Sequence, residues 1–132
     1  SQFELDANYV MTYVPYKFGE TLHQQPLLPM NRGYASIIWK DRSEKLHARM
    51  QVCYTGTQRI PQAGWSDDFV TLNLEVKYKF GYGRFTVFAN AFNLLDYRQK
   101  QVIMTTNEQF DGWKVWAPIT GRTFQAGVSM RF

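Results

Sequence analysis

Two histidines, one cysteine and 11 acidic side chains are the material from which this chain could build a catalytic or metal centre. His23 stands in a Pro- and Gly-bounded connection, and His47 on a stretch that alternates like a strand. Neither has a second ligand at the i, i+4 spacing by which a helix presents two imidazoles to zinc. Cys53 is the only cysteine, which excludes an intrachain disulfide and a cysteine-cluster metal site. It falls at a polar position of its strand and reads as an incidental small residue rather than an activated thiol. A Ser-His or Asp-His constellation is assembled in space rather than in sequence, so it is left open. Gly81-Tyr82-Gly83 has the glycines of a phosphate loop, but no helical pattern follows it and a tight turn accounts for it. The expectation is a non-enzyme, with no catalytic, metal or cofactor residues to assign.

Binding chemistry is better represented. Aromatic residues make up 17% of the chain, mostly Phe and Tyr. Tyr16, Phe18, Trp65, Phe110, Trp113 and Trp116 stand in connecting segments and are the ligand-contact candidates. Amphipathic rings bind organic ligands at low entropic cost, and the same rings suit the belt at a membrane interface. Glu4, Asp6, His47, Arg49, Gln51, Glu75 and Lys77 form a second set, each between apolar neighbours on a strand-like stretch. They would line an aqueous interior, contacting a ligand or simply solvating the space. The 15 basic and 11 acidic side chains give a net charge of +4 and are scattered, so no nucleic-acid footprint is visible and no nucleic-acid partner is expected.

The elements that must position these residues are strands. Phe124, Ala126, Val128, Met130 and Phe132 alternate strictly with Thr123, Gln125, Gly127, Ser129 and Arg131. Successive strand side chains point to opposite faces, so one face is apolar and the other polar. The same alternation runs through Phe3 to Tyr13, closed by Val14-Pro15, and through Gly33 to Lys40, with Ala35, Ile37 and Trp39 on one face. It returns in Leu46 to Thr55, in Val70 to Phe80 and in Phe85 to Ala91. Asp41 to Lys45 and Gly81 to Arg84 read as short turns. Long connections follow the first, third and fifth strands, the last running from Asp96 to Gly121. In it, Val102-Ile103-Met104 and Val115-Trp116 are expected to lengthen the flanking strands.

Strands of about nine to twelve residues exceed the five or six typical of globular sheets and match the length that crosses a bilayer at a tilt. Alternating long and short connections are the pattern of outer-membrane barrels, with short turns at the periplasm and long loops outside. The phase agrees, since a last strand ending at the periplasm follows an outer loop. No stretch approaches the roughly 18 apolar residues of a membrane helix, which says nothing against a barrel. The N-terminal Ser1-Gln2-Phe3-Glu4 carries no secretory signal, so an exported protein would begin here after processing or inside a longer chain. The fold class expected is all-β, an antiparallel transmembrane β-barrel segment of six long meander strands. Two alternatives are a soluble, lipocalin-like binding protein and a small self-contained outer-membrane barrel with a structural or hydrolytic role.

The chain resembles the C-terminal barrel portion of a TonB-dependent outer-membrane receptor over nearly its whole length. Phe85 to Tyr97, with Asn93-Leu94-Leu95-Asp96-Tyr97, resembles the family's penultimate strand and its Asn-Leu-Phe-Asp motif. Gly121-Arg122-Thr123-Phe124 resembles the Pro-Gly-Arg that opens the last strand, and Leu28 to Arg32 the proline-bearing start of an earlier one. Leu95 stands in place of the usual Phe, and Thr120 where Pro is common. The resemblance implies a place in the outer membrane of a Gram-negative bacterium and TonB-driven uptake of a scarce ligand: an iron chelate, cobalamin, haem or an oligosaccharide. Its implied partners are outer-membrane lipid, the assembly machinery, the remainder of a barrel of about 22 strands, and a plug that couples to the TonB complex. Residues 1–132 would supply wall and outer loops, without the plug. Six strands are fewer than the eight of the smallest bacterial barrels, so the chain is expected to be joined to further strands.

The resemblance also makes Phe124, Val128, Met130 and Phe132 part of an assembly signal. Deleting Phe132 from the full-length protein is expected to lower its amount in the outer membrane while leaving the stability of inserted molecules unchanged. Normal insertion of the truncated protein, measured by membrane fractionation, would remove that role.

Overall fold

The computed structural model describes residues 1–60, 64–100, 103–104 and 113–131, and no helix occurs among them. The strands are β1 (Gln2–Met11), β2 (Pro15–Phe18), β3 (Thr21–Gln24), β4 (Asn31–Lys40), β5 (Leu46–Thr55) and β6 (Arg59–Ile60). They continue as β7 (Gly64–Trp65), β8 (Phe69–Phe80), β9 (Phe85–Phe92), β10 (Ile103–Met104), β11 (Trp113–Lys114) and β12 (Thr123–Met130). Six of them form one antiparallel sheet in the order β1-β4-β5-β8-β9-β12, an up-and-down meander with β1 and β12 at its edges. Each long connection folds back as its own two-stranded hairpin: β2–β3, β6–β7 and β10–β11.

Two sequence expectations are corrected. The first strand leaves the sheet after Met11, with one further bond from Thr12 N–H to the Met30 carbonyl, 2.8 Å. Pro15 then opens β2, the position in a strand where its missing N–H is tolerated. Ile103-Met104 does not lengthen β9, because it pairs with Trp113-Lys114 instead. Val115-Trp116 lies outside any strand, and Val102 lies outside the described residues.

Directly paired residues share a face, so the registers trace rows across the sheet. Leu5, Ile37, Met50, Leu74, Ala91 and Phe124 form one continuous row over all six strands. Phe3, Trp39, Ala48, Val76, Ala89 and Ala126 form the next. The opposite face carries Glu4, Ile38, Arg49, Glu75, Asn90 and Gln125 in one row and Asp6, Ser36, Gln51 and Asn73 in another. The apolar face is uncovered: Leu5 is 73% and Phe124 71% exposed, and Met50, Leu74 and Val76 are exposed too. A soluble sheet buries its apolar face against a second layer. Among the described residues the buried ones are Ser36 on β4 and, at the long-connection end, Pro29, Gly56, Gln58, Ile60, Ser66, Asn93, Gln99 and Ala117.

The short turns fix the registers. In the β4–β5 turn the Asp41 carboxylate accepts from the Leu46 N–H (3.1 Å) and the Ser43 hydroxyl, while Glu44 takes a left-handed conformation, φ 54°. The β8–β9 turn needs three successive positive φ angles, Gly81 at 60°, Tyr82 at 56° and Gly83 at 84°. Glycine meets this without strain, whereas a residue with a Cβ does not. Gly83→Ala is expected to lower stability by about 1–2 kcal/mol, and Tyr82→Asn to raise it by up to about 1 kcal/mol, since Asn tolerates the left-handed region. Urea unfolding midpoints check both, and equal midpoints for the two variants would mean that the turn carries no strain.

Candidate functional site

The long-connection end is held together by Asn93, a buried residue with φ 52° just past β9. Its backbone N–H donates to Asn73 Oδ1 on β8 at 3.0 Å. Its side-chain Nδ2 donates to the carbonyls of Tyr97 (2.8 Å) and Thr120 (3.3 Å), and its Oδ1 accepts from the Tyr97 N–H at 3.2 Å. Asn is one of the few residues that accepts this backbone conformation and can bond locally at the same time.

Asp96 continues the lock. Its carboxylate takes Arg98 Nε and Nη2 at 3.2 and 3.0 Å, and the Arg122 N–H at 3.1 Å. Arg122 Nε returns to the Leu94 carbonyl at 2.9 Å. A Cβ at position 121 would run into the Arg98 guanidinium and the Asp96 carboxylate, so any other residue there would displace that ion pair. The Arg98 hydrogen bond, then the Arg122 N–H, hold the Asp96 carboxyl below its ordinary value of 3.8. The residues around Asn93-Leu94-Leu95-Asp96 and Gly121-Arg122, far apart in sequence, thus meet as one structural unit.

Aromatic side chains sit on this base. Phe69 stacks on Tyr97 with centroids 5.0 Å apart and meets Trp116 at 6.3 Å, tilted by 53°. Burial, then the negative charges of Asp67 and Asp68, push the Tyr97 hydroxyl above its ordinary value. Hydrogen bonds join the long connections to one another: Leu27 N–H to the Arg59 carbonyl (2.9 Å) and Gln58 Nε2 to the Trp116 carbonyl (2.8 Å). Gln99 Oε1 accepts from the Trp116 N–H at 2.9 Å.

Of the two aromatic candidates whose side chains are described, Trp65 on β7 is 54% exposed. Trp116 is half-buried and built into the loop base through its ring and backbone. Tyr16 and Phe18 lie on β2, paired with His23 and Thr21, and Trp113 lies on β11. Phe110 and Phe132 fall outside the described residues. Phe124, Val128 and Met130 lie on β12 and are exposed.

The registers bring the polar candidates to one face. Glu4 and Asp6 come from β1, His47, Arg49 and Gln51 from β5, and Glu75 and Lys77 from β8. Lys40 Nζ reaches Glu4 at 3.3 Å, and Lys77 reaches Glu75 at 3.0 Å. Asn90 Nδ2 donates to Gln125 Oε1 at 3.4 Å, and a His47 ring nitrogen lies 3.0 Å from the Glu44 carbonyl. Half-exposed pairs of this kind contribute little stability; their common face is the informative fact. Among the described residues no three His, Cys, Asp or Glu side chains gather as a metal set. The arrangement therefore offers two surfaces, an exposed apolar one and a hydrogen-bonded polar one, below a packed loop layer. Sequence reasoning missed Gln58 and Gln99, because glutamines that bond distant backbone leave no local pattern.

Comparison with protein-family models, with curated proteins and with solved structures finds no match to this chain.

The loop lock has a pH signature. With its folded value depressed, Asp96 contributes its full stabilisation above the ordinary carboxylate range and loses it as pH falls through the lowered folded value. Asp96→Asn is expected to lower the urea midpoint by a constant amount near neutral pH, and the gap should shrink only below about pH 4. A gap that persists unchanged into strong acid would remove the carboxylate as its source.

Proposed function

We propose that the chain forms C-terminal wall and outer loops of a TonB-dependent receptor in the outer membrane of a Gram-negative bacterium, serving uptake of a scarce ligand. The observation that carries this reading is the uncovered apolar row from Leu5 to Phe124, which spans every strand of the sheet while the other face is polar. A ten-residue strand is about 33 Å long, and at a tilt of about 45° it covers about 23 Å, close to the apolar band of a barrel. Lipid is the occupant that needs no second protein layer over that face.

Further support comes from the ends of the sheet. All three hairpin-bearing connections lie at one end and both short turns at the other, the arrangement of outer loops and periplasmic turns. The loop lock uses the segments that carry the family resemblance, Asn93 to Asp96 and Gly121-Arg122. The edge strands β1 and β12 leave backbone groups unpaired, which lipid does not tolerate. In this reading they pair with the remainder of the barrel, and the polar face surrounds a plug that engages the TonB complex. The exposed Trp65 would meet the ligand at the outer surface. A soluble lipocalin-like protein would instead close its sheet and turn the row of Met50 and Leu74 inward.

Adjacent residues at mid-strand give the test. Met50→Lys is expected to destabilise the inserted protein by about 2–4 kcal/mol if it faces lipid near the midplane. Gln51→Lys, on the polar face, should be nearly neutral. Position 73 is a poorer control, because Asn73 holds the Asn93 backbone. Unfolding from lipid bilayers measures the difference, and equal costs at positions 50 and 51 would overturn the membrane reading.

A further inference from the structure

The short-turn end of the polar face holds a concentration of positive charge that the uptake reading does not use. Lys79, Thr86 and Ser129 stand in register across β8, β9 and β12. One step beyond, the Arg131 N–H donates to the Arg84 carbonyl at 2.8 Å, which sets the two arginines opposite each other. On the other side the Lys79 N–H donates to the Lys45 carbonyl at 2.8 Å, which sets a second lysine beside Lys79. Like charges facing each other across a ladder are destabilising, and here two such pairs adjoin. Neighbouring strands lie about 4.8 Å apart, and Arg84 and Arg131 stand two residues beyond the Lys79 row, so the three backbone positions span about 12 Å.

The acidic side chains described at this end do not neutralise them. Asp41 is turned into its own turn by Ser43 and Leu46. Glu75 is paired with Lys77, and Glu4 with Lys40. Glu44 adjoins Lys45 and Lys79 in a neighbouring cleft, one carboxylate among several cations. Among the described residues no carboxylate forms an ion pair with Lys79, Arg84 or Arg131. Between those three side chains lies an open cleft of about 490 Å³, also lined by Tyr82, Gly83, Thr86 and Ser129, with no acidic side chain among the described residues of its wall.

We infer that this cleft binds a phosphate group, held by Lys79, Arg84 and Arg131 with the hydroxyls of Thr86 and Ser129. Guanidinium forks match phosphate oxygens two at a time, and the lysine adds a point charge. The hydroxyls supply donors for the oxygens left over. Three cations favour a multiply charged oxyanion over a single carboxylate. The cleft is larger than inorganic phosphate, so the group would be a diphosphate or a phosphate ester. Gly81-Tyr82-Gly83 contributes only the bend, since the charge comes from side chains. A free phosphate compound and a phospholipid headgroup share this chemistry. The site does not depend on whether the apolar face meets lipid, so its failure and that of the membrane reading are separable.

Titration calorimetry on the intact protein in a neutral detergent, with sodium pyrophosphate as probe, tests the free source. Nanodiscs of phosphatidylcholine with and without phosphatidylglycerol test the headgroup source. Saturable binding in either arm is expected, and Arg84→Gln and Arg131→Gln should each weaken it about tenfold, the loss of one charge-assisted bond. Arg32→Gln, on the same face at the opposite end, should leave it unchanged. Arg84→Lys keeps the charge and should bind with intermediate strength, which covers a Gln variant that fails to assemble. Binding of pyrophosphate assigns a soluble phosphate compound, and binding only to discs with phosphatidylglycerol assigns a headgroup. Absence of saturable binding in both arms, or equal weakening by Arg32→Gln, would overturn the inference.

Discussion

Everything in this fold depends on the phase of the interstrand ladder. The side-chain period of a strand is two, so a slip of one residue between any pair of strands exchanges the faces of one relative to the other. The row from Leu5 through Met50 and Leu74 to Phe124 is continuous only because five successive pairings keep that phase. One slip between β5 and β8 would set Glu75 beside Met50 and Leu74 beside Gln51. The penalty is large wherever one face meets an apolar medium, and the two short turns suppress it. The Asp41 hydrogen bonds set the β4–β5 pairing, and the run of left-handed residues from Gly81 to Gly83 sets that of β8–β9.

The ladder alone does not account for where the chain is packed. Apart from Ser36 on β4, the buried residues among those described collect at the long-connection end, around Pro29, Gln58, Ile60, Asn93 and Ala117. The polar side chains of that layer bond backbone, Gln58 reaching Trp116 in another connection and Asn93 reaching Thr120 within its own. Such bonds fix position more than they add net stability, because each replaces bonds to water. The consequence is a hydrogen-bonded base at the loop end of the sheet. Trp65 stays exposed while Trp116 serves as part of the base.

Charge is distributed unevenly along the polar face. Toward the loops it carries Asp6, Ser36, Gln51 and Asn73, and toward the short turns Lys40, His47, Lys77 and Lys79. Paired acids offset some of these cations, and the group around Arg84 and Arg131 is left over. Repulsion within a sheet persists only where something offsets it, which is why that corner points to an anionic ligand rather than to random surface charge.

The sequence by itself determined the long strands, their faces and the order of short and long connections. Alternation between Val70 and Phe80, or between Leu46 and Thr55, is a local property that survives any tertiary arrangement. It also marked Glu4, Arg49, Glu75 and their companions as one polar set, since parity along each strand is enough once the strands pair in phase. The hairpins inside the connections were invisible, because two-residue strands such as Arg59-Ile60 and Gly64-Trp65 have no period to detect. Tertiary structure alone decided that Ile103-Met104 pairs with Trp113-Lys114 and does not lengthen β9. It alone decided that Asp96 meets Arg122, and that Arg84 faces Arg131, because both contacts join residues far apart in the chain. Period and parity are carried by neighbours in sequence, whereas a site is made by residues that only the closed register brings side by side.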